Sequence, residues 1–95
     1  MKFQTISVNE IEKYLIKYEA SLIDLRSREE YEKYHLEGAI NIPYDDLKQN
    51  MEMFLKNKYY ILYCERGGSS LMAAKELSSL GYYVLSVIGG ISALE

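Results

Sequence analysis

Cysteine, histidine and proline occur once each, as Cys64, His35 and Pro43, and tryptophan is absent. A lone cysteine closes no intrachain disulfide, forms no CxxC redox pair and builds no thiolate zinc cage. With a single histidine, a His/Cys metal site has too few ligands. Whatever Cys64 does, it does as one thiol or thiolate. Basic charge is not in excess either. Eleven Lys and Arg face fourteen Asp and Glu, a formal net charge of −3, so the footprint of a nucleic-acid partner is missing. No segment approaches the roughly 20 apolar residues that span a bilayer. Met1-Lys2-Phe3-Gln4-Thr5 lacks a signal peptide's apolar run. The expectation is a cytoplasmic protein with no membrane partner.

The remaining composition is ordinary. Hydrophobic residues make up 48% and charged residues 26% of the 95, the balance of a soluble globular protein. The length predicts one domain over residues 1–95 with one core. Ten of the twelve aromatic residues are Tyr, which suits half-buried positions where the ring packs and the hydroxyl stays wet.

The chain alternates helical and extended patterns, with no repeat or linker. Ser7 to Glu10 reads as a capping box, and Val8, Ile11, Leu15 and Tyr18 then keep helical spacing, which predicts a helix over 8–18. Leu22-Ile23 and Leu25 around Asp24 predict a short buried strand from Ser21 that ends at Asp24 or Leu25. Ser27 to Glu30 is a second capping box, opening a helix to about Tyr34. Ala39 to Ile42 reads as a strand stopped by Pro43. Asp45 or Asp46 would cap a further helix with Leu47, Met51, Phe54 and Leu55 on its apolar face. Tyr59 to Cys64 is a near-continuous apolar run, as expected of a central strand covered on both faces. Gly67-Gly68 breaks it. Ser69 to Leu80 predicts a helix ended by Gly81, and Tyr82 to Val87 a last strand before Gly89-Gly90. Strands separated by helices imply an α/β class: a mainly parallel central sheet with helices on both faces.

The chemistry points to Cys64. A lone cysteine in an apolar strand is ordinarily a buried, inert core residue. Cys64, however, ends its strand, and Glu65-Arg66-Gly67-Gly68-Ser69-Ser70 lead at once into a helix. In open α/β sheets ligands bind outside the carboxyl ends of the strands. Glycines let successive N–H groups point to one centre, and the helix start adds unpaired N–H groups and the positive end of its dipole. Such a cradle holds an anion: the Cys64 thiolate, a persulfide built on it, or an oxyanion above it. It also makes a thiolate available as a nucleophile at neutral pH. Arg66 could supply a cation, with Glu65 opposing it.

Four segments in this order resemble the rhodanese-like sulfurtransferase family, in particular its short single-domain members. They are Leu22-Ile23-Asp24-Leu25-Arg26 with Glu29-Glu30-Tyr31; His35 to Pro43, which contains Gly38-Ala39-Ile40-Asn41-Ile42-Pro43; Cys64 to Ser70; and Gly81-Tyr82-Tyr83-Val84 with Val87-Ile88-Gly89-Gly90. They cover about 70 residues. The resemblance implies a rhodanese-like three-layer fold and a persulfide mechanism. Cys64 would take a sulfane sulfur from a donor such as thiosulfate, and the backbone N–H groups of residues 65 to 70 would hold its charge. A second nucleophile (cyanide in an assay, a thiol or protein in the cell) would carry the sulfur away. No metal or organic cofactor is implied. Many members carry an aromatic residue soon after the final Gly-Gly, which Ile91 to Glu95 lack, and the closing helix that the resemblance implies is expected to be short here.

The other polar residues admit two readings each. Asp24 and Arg26, at the end of another strand, either line the same rim, with Arg26 positioning a substrate anion, or form a structural ion pair, with Glu30 as a further partner; the structural reading is preferred. His35 is expected to fix a turn. Ser69 or Ser70 either bonds the sulfur, caps the helix, or does both. Two other functions compete. A cysteine phosphatase or arsenate reductase on this fold would end its loop in an Arg six residues after the cysteine, where this chain has Ser70. A non-enzymatic interaction module would have no need of the cysteine or the glycine loop.

Overall fold

The computed structural model describes residues 3–94. Five strands form one sheet: β1 (Gln4–Ile6), β2 (Ser21–Asp24), β3 (Ile40–Asn41), β4 (Tyr59–Tyr63) and β5 (Tyr83–Val87). Their order is β1-β5-β4-β2-β3, and every pairing is parallel. β4 lies at the centre, as its unbroken apolar run requires, between β2 (Ile23 beside Leu62) and β5 (Ile61 beside Leu85). A parallel sheet needs cover on both faces because each crossover returns over one of them.

Alternation along β4 assigns its side chains to two cores. Ile61 and Tyr63 face one side with Leu22, Leu85 and Val87, under α1 (Ile11–Tyr18) and Tyr31 of α2 (Arg28–Lys33). Tyr60, Leu62 and Cys64 face the other, with Ala73, Ala74 and Leu77 of α3 (Gly68–Ser79) and with Leu47 and Phe54. The two small alanines let α3 lie close against the sheet. Both helix starts predicted from capping boxes are present in part. The Glu10 carboxylate accepts the Ser7 N–H at 2.9 Å, and the Ser27 hydroxyl accepts the Glu30 N–H at 3.2 Å. Residues 8–10 form a 3-10 turn leading into α1.

Three expectations are corrected. β1 was not expected: Gln4-Thr5-Ile6 holds one apolar residue, too few for a periodicity, and the strand exists because β5 offers a free edge to pair with. The helix predicted after Asp45 or Asp46 is two 3-10 segments, Tyr44–Asp46 and Lys48–Met53. Pro43, not an aspartate, precedes the first of them. Asn50 departs from helical geometry and spends its side-chain amide on the Asp46 carbonyl at 2.7 Å, the local competition that favours turns over helix. Leu47 and Phe54 are still buried, but Leu55 is exposed. Finally, the strand over 39–42 shortens to Ile40–Asn41, the strand from Ser21 stops at Asp24, the earlier of its two expected ends, and the predicted strand ends at Cys64 and Tyr82 lie just outside their strands. No helix of the described residues is long and apolar enough to cross a membrane.

Candidate active site

β4 ends at Tyr63 and hands the chain to Cys64, whose side chain faces α3. The next residues fold back over the sulfur. Gly67 sits at the N-cap of α3 with φ 101°, a left-handed conformation that glycine reaches without strain. Its Cα also lies where a Cβ would come within 3.0 Å of the Gly89 amide nitrogen. The turn aims two main-chain donors at one atom: Gly67 N–H donates to Cys64 Sγ at 3.1 Å and Ser70 N–H at 3.4 Å. Ser70 is the third residue into the helix, and its N–H is one of the donors that a helix start leaves without an internal partner. The sulfur takes the position that a capping side-chain oxygen usually fills. Neither Ser69 nor Ser70 is the N-cap, contrary to one sequence expectation.

Ser70 does reach the sulfur by its side chain. Its Oγ lies 3.6 Å from Sγ, 3.2 Å from the Gly67 carbonyl oxygen and 2.9 Å from Ser86 Oγ. Ser70 and Ser86 are both buried. Sequence reading missed Ser86, although one hydroxyl in the middle of the otherwise apolar Val84-Leu85-Ser86-Val87 was a usable signal. Cys64 itself keeps 6% of its surface, so the sulfur is more enclosed than a strand-end position suggests. The loop folds down onto it because α3 starts directly above.

The loop is held from behind by the segment after β5. Ile91 N–H donates to the Cys64 carbonyl at 2.9 Å and Ser92 N–H to the Glu65 carbonyl at 3.0 Å. Gly90 (φ 61°) lies against this backbone, where a Cβ would fall 2.6 Å from the Glu65 carbonyl carbon and against the Cys64 carbonyl oxygen. These are main-chain atoms that cannot swing aside. Gly90→Ala should therefore lose about 1–3 kcal/mol of stability in urea titration and react more slowly at Cys64, because the loop must shift off its clamp. Unchanged alkylation and unchanged stability would show that the contact is not restraining.

The charged residues divide. Asp24 is fully buried. One of its carboxylate oxygens accepts the Arg26 backbone N–H at 2.8 Å, and the other accepts Arg26 Nη2 at 3.0 Å and the Tyr63 hydroxyl at 2.6 Å. Tyr63 Oη in turn accepts the Leu36 N–H at 3.1 Å. Burial pushes the Tyr63 phenol far above its ordinary range, and the Asp24 hydrogen bond adds to the rise, so Tyr63 remains a neutral donor. Burial works against the Arg26 charge, but the hydrogen bond and charge of Asp24, with Tyr63 and Glu65, outweigh it and hold the guanidinium above its usual value. The outer partner of Arg26 is Glu65, 3.6 Å from Nη1, rather than Glu30. Glu65 thus turns to Arg26 and does not oppose Arg66, which is exposed and makes no ion pair among the described residues.

Arg66 stands at the edge of a cleft of about 310 Å³ lined by Thr5, Leu71, Val87 and Ile88. A second cleft of about 290 Å³ opens beside Arg26 and Glu65, walled by Tyr34, Ile91 and Leu94. Gly68 and Ser69 continue the loop into the first turn of α3. His35 lies away from the sulfur: its Nδ1 is 2.8 Å from the Tyr31 carbonyl and its ring stacks on Tyr31, as expected of a residue fixing a turn. Among the described residues no cluster of three or more His, Cys, Asp or Glu could hold a metal ion.

A strand-end cysteine under two converging amides, with a glycine loop opening a helix on a parallel sheet, is the arrangement the four sequence segments resembled. The model of the rhodanese-like domain matches residues 7–95. The chain belongs to the rhodanese-like family. Its fold is that of a rhodanese-like domain protein from Staphylococcus aureus, with a TM-score of 0.88 at 26% identity over 98% of this chain and 92% of that one. The thiosulfate sulfurtransferase PspE of Escherichia coli is 37% identical over 71 residues, covering 73% of this chain and 68% of that protein. A probable molybdopterin-synthase adenylyltransferase of Porphyra purpurea is 33% identical over 94 residues, which are 95% of this chain but 25% of that protein. The chain thus spans about a quarter of that longer relative. Membership in the rhodanese-like family, with sulfurtransferases among its relatives, supports sulfur transfer in general terms.

Proposed function

We propose that this rhodanese-like chain, acting as a single domain over residues 1–95, moves sulfane sulfur through a persulfide on Cys64. The supporting observation is the pair of N–H groups, from Gly67 and Ser70, that already point at Sγ. Hydrogen bonds to a charged form favour that form, and these backbone donors are in place before the thiolate attacks.

In the first step the Cys64 thiolate attacks the outer sulfur of thiosulfate. The donor's sulfur–sulfur bond breaks, and sulfite leaves with its electron pair. A Cys–S–S⁻ group remains, its charge on the outer sulfur. In the second step an acceptor thiolate attacks that outer sulfur, the new persulfide departs on the acceptor, and Cys64 returns as a thiolate. The two half-reactions make a ping-pong cycle. They require no metal or organic cofactor. The backbone N–H groups of the loop from Glu65 through Ser69 to Ser70 hold the outer sulfur's charge, and the unpaired Arg66 attracts the anionic donor. Arg26, occupied by Asp24 and Glu65, holds the loop and leaves donor binding to Arg66. The acceptor is a small thiol or a cysteine on a protein.

Intact-mass measurement tests the proposal. After incubation with thiosulfate and removal of excess donor, the protein should be heavier by one sulfur atom, and peptide mapping should place that atom on Cys64. Cyanide should then strip it and release thiocyanate. No mass gain with thiosulfate, mercaptopyruvate or a persulfidated protein as donor would leave a binding module and overturn the proposal.

A further inference from the structure

Ser86 sits inside β5 with 2% of its surface exposed. It projects to the α3 face of the sheet, where its strand neighbour Val84 is apolar. A hydroxyl there loses its water on folding and must find a protein partner. Among the described residues its one hydrogen-bond partner is Ser70 Oγ, at 2.9 Å. That single contact fixes a direction. If Ser70 donated to Ser86, the Ser86 proton would be buried with no acceptor. If Ser86 donates, its proton is satisfied and the Ser70 proton is released for another acceptor. Ser70 then has two within reach, the Gly67 carbonyl and Cys64 Sγ. A serine hydroxyl has one proton to give and two lone pairs to receive, so it can accept from Ser86 while donating to either.

We infer that Ser86 is a positioning residue for the nucleophile: its hydroxyl donates to Ser70 and thereby turns the Ser70 proton toward Cys64 Sγ whenever the sulfur is charged. With a neutral thiol, the S–H proton goes to Ser70 Oγ and the Ser70 proton to the Gly67 carbonyl. On loss of the thiol proton, Ser70 rotates its own proton to the sulfur, and Ser86 keeps Ser70 Oγ supplied from behind. Donation into a hydroxyl strengthens what that hydroxyl donates onward. The thiolate therefore has three donors, the Gly67 and Ser70 amides and the Ser70 hydroxyl, and the third depends on a residue that never touches the sulfur. The use of this relay to the protein rests on the sulfur-transfer reading of Cys64; its measurement does not.

Alkylation of Cys64 by iodoacetamide measures it, because the chain has no other cysteine. Ser86→Ala should alkylate about threefold to tenfold more slowly than wild type near neutral pH, where a thiolate needs its donors, and at nearly the wild-type rate in strongly alkaline solution, where thiols in general ionise without help. Ser86→Thr and Ser86→Val separate the hydroxyl from packing, being close in shape. Thr should keep the neutral-pH rate and Val should lose it as Ala does. Three results overturn the inference: equal neutral rates for Ser86→Ala and wild type, equal rates for Thr and Val, or a slowing that persists at high pH, which would mean blocked access. Loss of the folded state in Ser86→Ala would make Ser86 a packing residue and overturn it too. A protein that loads no sulfur from any donor yet shows the Thr/Val difference keeps the relay and loses only the transferase reading.

Discussion

Cys64→Ser should leave the fold standing and, on the proposed function, reduce sulfur transfer to the uncatalysed rate. An oxygen in place of Sγ can still accept the Gly67 and Ser70 amides, so the helix start keeps its cap and the change in stability should stay within about 1 kcal/mol. Chemistry is another matter. A serine hydroxyl cannot carry a persulfide, and without an adjacent base it is a poor nucleophile at neutral pH. His35, the only histidine, is committed to the Tyr31 carbonyl and offers no rescue. The thiosulfate:cyanide assay should fall by at least about a thousandfold, the scale of losing a nucleophile, and no sulfur should add to the mass. Appreciable turnover by Cys64→Ser would move the chemistry to some other group and remove the basis of the proposed function.

Asp24→Ala should damage the fold more than any other single polar substitution. The carboxylate is fully buried and accepts from the Arg26 backbone, the Arg26 guanidinium and the Tyr63 hydroxyl. Removing it strands a guanidinium inside the protein with only Glu65 and the Tyr34 carbonyl for company. Breaking a buried pair in this way costs about 3–5 kcal/mol. The total available to a small domain is about 5–15 kcal/mol, and at 95 residues the lower part of that range applies. Urea titration should show the transition shifted strongly downward or already under way without denaturant. Glu65→Gln provides the contrast. Glu65 is half-exposed and its pairing with Arg26 is long, so its loss should cost less than about 1 kcal/mol. A similar loss in both variants would mean that the network is held by its outer member.

The contrast between Asp24 and Glu65 shows what a sequence discloses and what it withholds. β4 was readable because a strand buried on both faces has no polar positions to spare, and its unbroken apolar run states that directly. α3 was readable from its alanines and leucines between glycines. Cys64 stood out as the candidate because strand, cysteine, glycines and helix follow one another without interruption. Asp24 was readable as a partner of Arg26, but the outer partner was not, since several carboxylates compete for one guanidinium and Glu65 is near it only after folding. β1 was hidden because its reason for existing is an edge on β5 and not a pattern of its own. The two 3-10 segments were hidden because Leu47, Met51 and Phe54 fit either kind of helix, and Asn50 decides between them by a side-chain bond. Ser86 was missed although its hydroxyl breaks an apolar pattern, because its partner, Ser70, lies on another element.

The sulfur's position at the head of α3 ties reaction and architecture together. A group that closes a helix end by accepting its amides cannot change its charge without the helix noticing. When a second sulfur is attached, the negative pole moves one bond outward, and the amides that met it at Cys64 must follow or release. On the proposed function, loading and unloading that sulfur should therefore loosen and reset the first turn of α3.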